Sequence, residues 1–366
     1  MPESIHDRWR AWRNRLIGDP GFQSWASRFP LTRPVARRRA QTLFDLSAGF
    51  IYSQIAYACV TSGLLERLAA GPCDIAQLSR TVSLEPSATL RLVRAAAALK
   101  LAEPCPDGRF ALGSEGASLL GAPGVTAMIT HHALLYADLA DPIGLLRRGG
   151  GGGALAGYWP YAGGEAPEPE AAATYSALMS DSQAMVAAQV LNAWPIGRYR
   201  RLMDVGGGQG TFLRAVAARA PRLELALFDL PAVAERARAT FAADGIRVDA
   251  VGGSFFADPL PRGADAVSLI RILHDHDDGP ALMILKAVRD ALPPGGTLLI
   301  GEPMAGERGA ERAGDAYFGM YLLAMGSGRP RPAAEILAMC REAGFAHARR
   351  VPTDMPMISG LVVARA

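Results

Sequence analysis

Two hydrophobic periodicities divide the chain near residue 195. Before that point apolar positions recur every three to four residues, the signature of helices; after it, short apolar runs alternate with helical stretches, which predicts strands feeding helices. At the start, Ile5, Trp9, Trp12 and Leu16 share one helical face, with Arg8, Arg10, Arg13 and Arg15 around it. Ser4 or Asp7 caps this helix, and Gly18-Asp19-Pro20 stops it. Arg33 and Arg37-Arg38-Arg39 extend the basic stretch and read as a solvated loop. A basic, Trp-bearing amphipathic helix suits a membrane surface, and equally the protein's own body or a second subunit.

Residues 1–38 are therefore set apart as an arm, 39–195 as a helical domain and 196–366 as an α/β domain. Within the helical part, helices are predicted at 40–58, 60–70, 74–81 and 86–100. The run Asp74–Ser79, then Glu85–Arg94, has helix-turn-helix spacing, and Leu101–Glu103 and Arg109–Leu112 bracket a turn like the wing of a winged helix. The second helix carries only Arg91 and Arg94 among alanines and leucines, thin for phosphate contacts, so dimerisation is the preferred reading over nucleic acid. Another apolar helical region, 123–147, bears His131, His132, Tyr136 and Asp138. Gly149–Gly153 reads as a flexible loop, 158–170 as a linker, and 170–193 as a helix with Met179 and Met185.

Beyond residue 195, strands are predicted at 201–205, 224–228, 247–251, 264–270 and 297–302, with helices near 211–220, 232–243 and 279–292. That alternation predicts a doubly wound, mostly parallel sheet of Rossmann-like kind. Phe345–Val351 and Leu361–Ala364 add a terminal hairpin, and 315–330 reads as a core helix of aromatic and sulfur side chains.

Composition narrows the class. Half of the chain's 366 residues are hydrophobic, enough for two cores, and the mean hydropathy is +0.12. No run of about 18 uncharged apolar residues predicts a transmembrane helix, and no apolar leader predicts export. Cys59, Cys73, Cys105 and Cys340 are scattered and read as reduced thiols of a cytoplasmic protein, with neither disulfide nor metal spacing. The net charge of +3 says little about partners.

The candidate chemistry begins at Asp204-Val-Gly206-Gly-Gly208-Gln-Gly210, between the first strand and its helix. Alternating glycines allow a sharp turn and a ligand's close approach. The dinucleotide fingerprint requires glycine at Thr211, so that pattern fails. The stretch resembles instead the donor loop of S-adenosylmethionine (SAM) methyltransferases. Asp229 ends the second strand, placed to accept ribose hydroxyl protons or to cap the helix behind Pro231. Ser254 and Phe255 follow the third strand, where an adenine would lie; a loop hydrophobe packed on a helix is the plain alternative.

After the fourth strand comes Arg271-Ile-Leu-His274-Asp275-His-Asp-Asp278. A methyl transfer to an alcohol needs the acceptor aligned and a base for its proton, and histidine titrates in the useful range. His274 is expected to face the cleft as that base, with Asp275 alternating away onto solvent or Arg271. Glu302, ending the fifth strand, is expected to hydrogen-bond the imidazole and fix its tautomer. The histidines and aspartates have no partner cluster elsewhere in this half, so no metal is expected.

Taken together, Asp204–Gly210, Asp229-Leu-Pro231, Gly253-Ser-Phe-Phe256, Leu273-His-Asp275 and Glu302 resemble the class I, plant-type small-molecule O-methyltransferases. The resemblance implies SAM as cofactor, held by Asp204, Gly206, Gly208, Gly210, Asp229, Ser254, Phe255 and Arg271. It further implies His274, Glu302 and Asp275 as the catalytic group, and a helical dimerisation domain whose partner subunit lines the acceptor pocket. Three positions depart from the pattern: His276 for an aromatic, Ser254 for an acid, and Pro330 for a glutamate.

Phe22–Pro34, Leu43–Gln54, His131–Pro142 and Tyr158–Tyr161 are similar to bacterial carotenoid hydroxyl methyltransferases of the demethylspheroidene or hydroxyneurosporene type. That likeness implies a lipophilic acceptor, a tertiary hydroxyl on an acyclic carotenoid. It also gives the Trp/Arg arm a reason to touch a membrane. Two other readings stay open at this point: methylation of a polyketide or phenol, and a SAM-sensing winged-helix regulator without catalysis.

Overall fold

The computed structural model describes residues 4–158 and 182–366. Met179 and most of the 158–170 linker lie outside the described residues, while 182–193 are helical as expected. Two compact units emerge, Met1–Ser118 and Leu119–Ala366, so residues 119–195 group with the second unit.

The first unit is helical. Ser4 caps Ile5–Gly18, its side chain accepting from the Asp7 N–H, and Asp19 caps Pro20–Arg28 the same way through Phe22. The arginine run expected in a loop lies instead inside one helix, Arg33–Thr61, which Pro34 starts in the favoured first turn. Gly63, in the left-handed region (φ +71), then turns the chain into Leu64–Ala69. By length and composition, Arg33–Thr61 is the one helix among the described residues apolar enough to cross a membrane, with 11% of its apolar window buried. Ser47, Ser53 and Gln54 interrupt its apolar run, which is why no such helix is expected from the sequence. Asp74 and Gln77 form a reciprocal capping box for Ile75–Val82, and Pro86–Ala98 follows. An antiparallel pair, β1 (Ala102–Pro104) and β2 (Phe110–Leu112), closes on the turn at Gly108.

The second unit is built on a seven-stranded sheet. Its strands are β3 (Arg201–Val205), β4 (Glu224–Asp229), β5 (Val248–Gly252), β6 (Ala266–Ile270), β7 (Thr297–Glu302), β8 (His347–Val351) and β9 (Gly360–Arg365). Their order is β5-β4-β3-β6-β7-β9-β8, the first five parallel and the terminal hairpin antiparallel. The fold is thus mixed α/β with a mostly parallel sheet.

Strand alternation explains why both faces are covered. Met203, Phe228, Leu269 and Ile300 pack on one face beneath Asp278–Ala291 and Ala333–Glu342. Leu202, Leu227, Ile270 and Leu299 pack on the other, against Thr211–Arg219, Pro231–Ala243 and residues 182–193. Such continuous apolar strands are what a sheet buried on both faces requires. A third, smaller cluster joins Leu135, Leu145 and Leu155 to Tyr321, Leu322 and Met325. The Gly149–Gly153 run, expected as a flexible loop, is tied down there: the Gly151 N–H donates to the Leu323 carbonyl at 2.9 Å.

Candidate active site

All five parallel strands deliver their C-terminal ends to one rim, the place where open α/β sheets bind ligands. At the first, Gly206, Gly208 and Gly210 have φ of +71°, +58° and +79°. Gly208 is the telling position: a Cβ there would meet nothing within 4 Å, so the loop is open on the side it presents. Gly210, by contrast, is held tight, since a Cβ would lie 2.0 Å from the Phe241 ring.

Asp229 closes over this loop. Its Oδ2 accepts the Gly208 N–H at 2.8 Å and its Oδ1 accepts the Leu230 N–H at 2.7 Å. Burial raises its pKa, and the two main-chain donors oppose that. Each oxygen keeps a second lone pair for a further donor. Asp204 lies beneath the loop, fully buried, with Oδ1 accepting from Ser268 at 2.6 Å and Oδ2 unpartnered. Burial pushes its pKa up to about 7.

Ser254 donates its backbone N–H to Asp258, and its hydroxyl accepts from Phe256. Phe255, Phe256 and His276 form an edge-to-face triangle with centroids 4.7, 5.6 and 5.3 Å apart. One of the departures noted in the sequence, His276, thus packs its ring against both phenylalanines. Its burial lowers the imidazole pKa, favouring the neutral ring.

Arg271 directly follows β6 in the left-handed region (φ +61), a strained conformation for a side-chain-bearing residue. Its Nη1 donates to Ser182 at 2.7 Å, and its backbone N–H to the Gly301 carbonyl. His274 and Asp275 come next, in the 3-10 turn Leu273–Asp275. Because that turn has a period of three, Asp275 does not alternate away as an extended strand would direct it. It faces its neighbour: His274 Nε2 lies 3.0 Å from Asp275 Oδ1, the two side chains 2% and 15% exposed. His274 Nδ1 is buried without a partner.

Glu302 also sits differently from expectation. It is wholly buried, and its Oε2 accepts the main-chain N–H of His274 at 3.1 Å, leaving Oε1 unpartnered. Burial raises its pKa. His274 thus has one carboxylate on its ring and another on its backbone.

Residues 312–325, which read in sequence only as a core helix, take part in the site. Arg312–Phe318 is a π-helical segment running into Gly319–Met325, a rare form that often marks function. It sets Phe318 6.0 Å from the His274 ring at an interplanar angle of 30°. Tyr317 and Tyr321 stack beside it, 5.9 Å apart, and pair with His132 (2.8 Å) and His131 (3.0 Å). Burial lowers the pKa of His131 to about 4. The one sequence signal for this role is a histidine pair matched by two tyrosines one turn apart. Among the described residues no group of three or more potential ligands could hold a metal.

Comparison with known proteins places the whole chain. Residues 156–346 match the model of the O-methyltransferase domain family. The chain is 44% identical to the demethylspheroidene O-methyltransferase of Cereibacter sphaeroides, covering 96% of this chain and 93% of that one. It is 42% identical to that of Rhodobacter capsulatus, covering 92% and 85%. Among solved structures, LaPhzM superposes with a TM-score of 0.74 at 27% identity, covering 89% of this chain and 98% of its own. These findings leave no place for a regulator without catalysis; the chain belongs to the O-methyltransferase family, an enzyme with S-adenosylmethionine as its cofactor and similar over nearly its whole length to the demethylspheroidene O-methyltransferases.

Proposed function

We propose that this enzyme methylates the tertiary hydroxyl of an acyclic hydroxycarotenoid, with His274 as general base. The observation that carries the reading is the His274 ring: one nitrogen is held by Asp275, the other buried and unpartnered. With Nε2–H donating to Asp275, the lone pair sits on Nδ1, ready to take a proton.

The rim suits SAM. Gly208 leaves an open approach between the tightly packed Gly206 and Gly210, Asp229 keeps acceptor capacity for ribose hydroxyls, and the Phe255–Phe256–His276 triangle offers ring edges and faces to an adenine. Asp204 and Ser254 brace the loops from behind, and Arg271 shapes the end of β6. The bound donor supplies a methyl group on a positively charged sulfur. His274 accepts the acceptor's hydroxyl proton, Asp275 stabilises the resulting imidazolium, and Glu302 holds the backbone beneath. A base of this kind contributes on the order of a hundred- to ten-thousand-fold in rate.

The acceptor side supports a long apolar substrate. Phe318, Tyr317 and Tyr321 form an aromatic surface next to the base, and the names of two relatives more than 40% identical over most of the chain point to a carotenoid. The exposed apolar residues Leu43, Phe44, Leu46 and Phe50 of Arg33–Thr61 support a homodimer. Trp9, Trp12 and Trp25, each more than half exposed among arginines, support a protein that rests on a membrane surface.

The test is direct. Purified enzyme with methyl-labelled SAM and a hydroxylated acyclic carotenoid is expected to yield a labelled methoxy carotenoid by mass spectrometry. Labelling of a phenol or polyketide in preference to the carotenoid would overturn the assignment.

A further inference from the structure

Arg331 has a fully buried side chain, 0% exposed, beside Pro330, one of the three positions that depart from the family pattern. Its Nη1 donates to the Leu273 carbonyl at 2.6 Å and its Nη2 to the His276 carbonyl at 2.7 Å. Nε and Nη2 also reach Asp278 Oδ1, at 3.1 and 2.8 Å. The two carbonyls bracket the turn that carries His274. That turn's own main-chain bonds are two long ones, Asp275 to Ile272 and His276 to Leu273, both 3.2 Å.

The strap around Arg331 also holds the end of the turn and the residues just past it. The Ser327 hydroxyl donates to the Asp275 carbonyl at 3.0 Å, and the Gly328 N–H donates to Asp277 Oδ1 at 3.0 Å. Gly328 has φ +75, and a Cβ there would lie 2.0 Å from the His274 carbonyl oxygen. The Arg331 carbonyl accepts the Ala305 N–H at 3.1 Å, which ties the strap to the chain just past Glu302.

We propose that Arg331 is a positioning residue for methyl transfer: by holding the carbonyls on either side of His274, its guanidinium fixes where the imidazole points. This rests on the reading of His274 as the base. A lysine keeps the charge but is a single point donor, and cannot serve two carbonyls and a carboxylate in one plane. An ångström of displacement at a reacting group costs about a hundredfold in rate.

The experiment compares Arg331→Lys, Ser327→Ala and His274→Ala with wild type, below every variant's unfolding transition. Arg331→Lys is expected to lose at least about tenfold in kcat. Its donor affinity by calorimetry and its acceptor KM should stay within a few-fold. Ser327→Ala should lose kcat in the same direction, by a few-fold, with a near wild-type Tm. A merely structural arginine would lower Tm and leave kcat of the folded enzyme unchanged; that result overturns the proposal. If Arg331→Lys does not fold, Ser327→Ala decides: unchanged kcat overturns the proposal and reduced kcat upholds it. An active His274→Ala would remove the base reading itself, whereas an inactive one beside a normal Arg331→Lys would sink this inference alone.

Discussion

His274 Nε2 lies 3.0 Å from Oδ1 of Asp275, its immediate neighbour in the chain. The two residues meet in the 3-10 turn that follows β6. In the proposed mechanism that contact makes Nε2–H the donor to Asp275 and leaves Nδ1 to accept.

Asp275→Asn should therefore act through the tautomer. An amide can turn its N–H₂ toward Nε2 and favour a proton on Nδ1, the nitrogen proposed as base. A loss of kcat on the order of tenfold to a thousandfold is expected, as in other triads whose orienting acid is made neutral. Donor affinity measured by calorimetry should hardly change. Wild-type turnover in Asp275→Asn would show that the pair does not orient the base.

Glu302 offers a sharper comparison. Because its Oε2 accepts from the His274 backbone, Glu302→Gln keeps an acceptor for that N–H and should retain most activity. Glu302→Ala strands a buried donor, at a cost of about 1–3 kcal/mol, and should lower both Tm and kcat. Were Gln as damaging to kcat as Ala, the carboxylate would be acting on the imidazole after all.

Asp204 predicts how stability follows pH. Burial raises its pKa from 3.8 to about 7, so the folded chain keeps a proton that the unfolded chain has released. Stability from this group therefore falls as pH rises from about 4 to about 7, then levels. His131, lowered to about 4, works in the opposite sense, so the variant difference is the informative quantity. Asp204→Asn, which can still accept from Ser268, should lose less Tm than wild type between about pH 5 and 7. Parallel Tm curves would contradict this.

The arm gives a prediction independent of catalysis. Trp9 and Trp12 are 54% and 58% exposed beside Arg8, Arg13 and Arg15. Wild type should cosediment with anionic phospholipid vesicles and release as salt is raised. Replacing both tryptophans with alanine should weaken binding by an order of magnitude or more. Equal sedimentation of the two proteins would remove the arm from the membrane.

The strand–glycine–helix unit at Arg201–Arg219 is legible in sequence because one short apolar run and three glycines define it locally. The strand ends are legible for the same reason, and the residues of the rim follow from them. What the sequence hides is tertiary or conformational. Alternation directs Asp275 outward, but a 3-10 turn reverses it. Glu302 pairs by expectation with a ring, whereas the N–H it meets belongs to the backbone. Arg331 sits 57 residues past His274 in sequence, and nothing in Gly-Arg-Pro-Arg says that one arginine is wholly buried. Tyr317 and Phe318 look like core because a π-helical segment shifts which side chains face the site.

The central claim, that the His274 imidazole removes the acceptor's proton at a donor-loaded rim, is tested most directly by single-turnover methyl transfer in His274→Ala with calorimetry of donor binding alongside. The expected result is donor affinity within a few-fold of wild type and a transfer rate lower by about a hundred- to ten-thousand-fold. Transfer at the wild-type rate in a donor-saturated His274→Ala would contradict it.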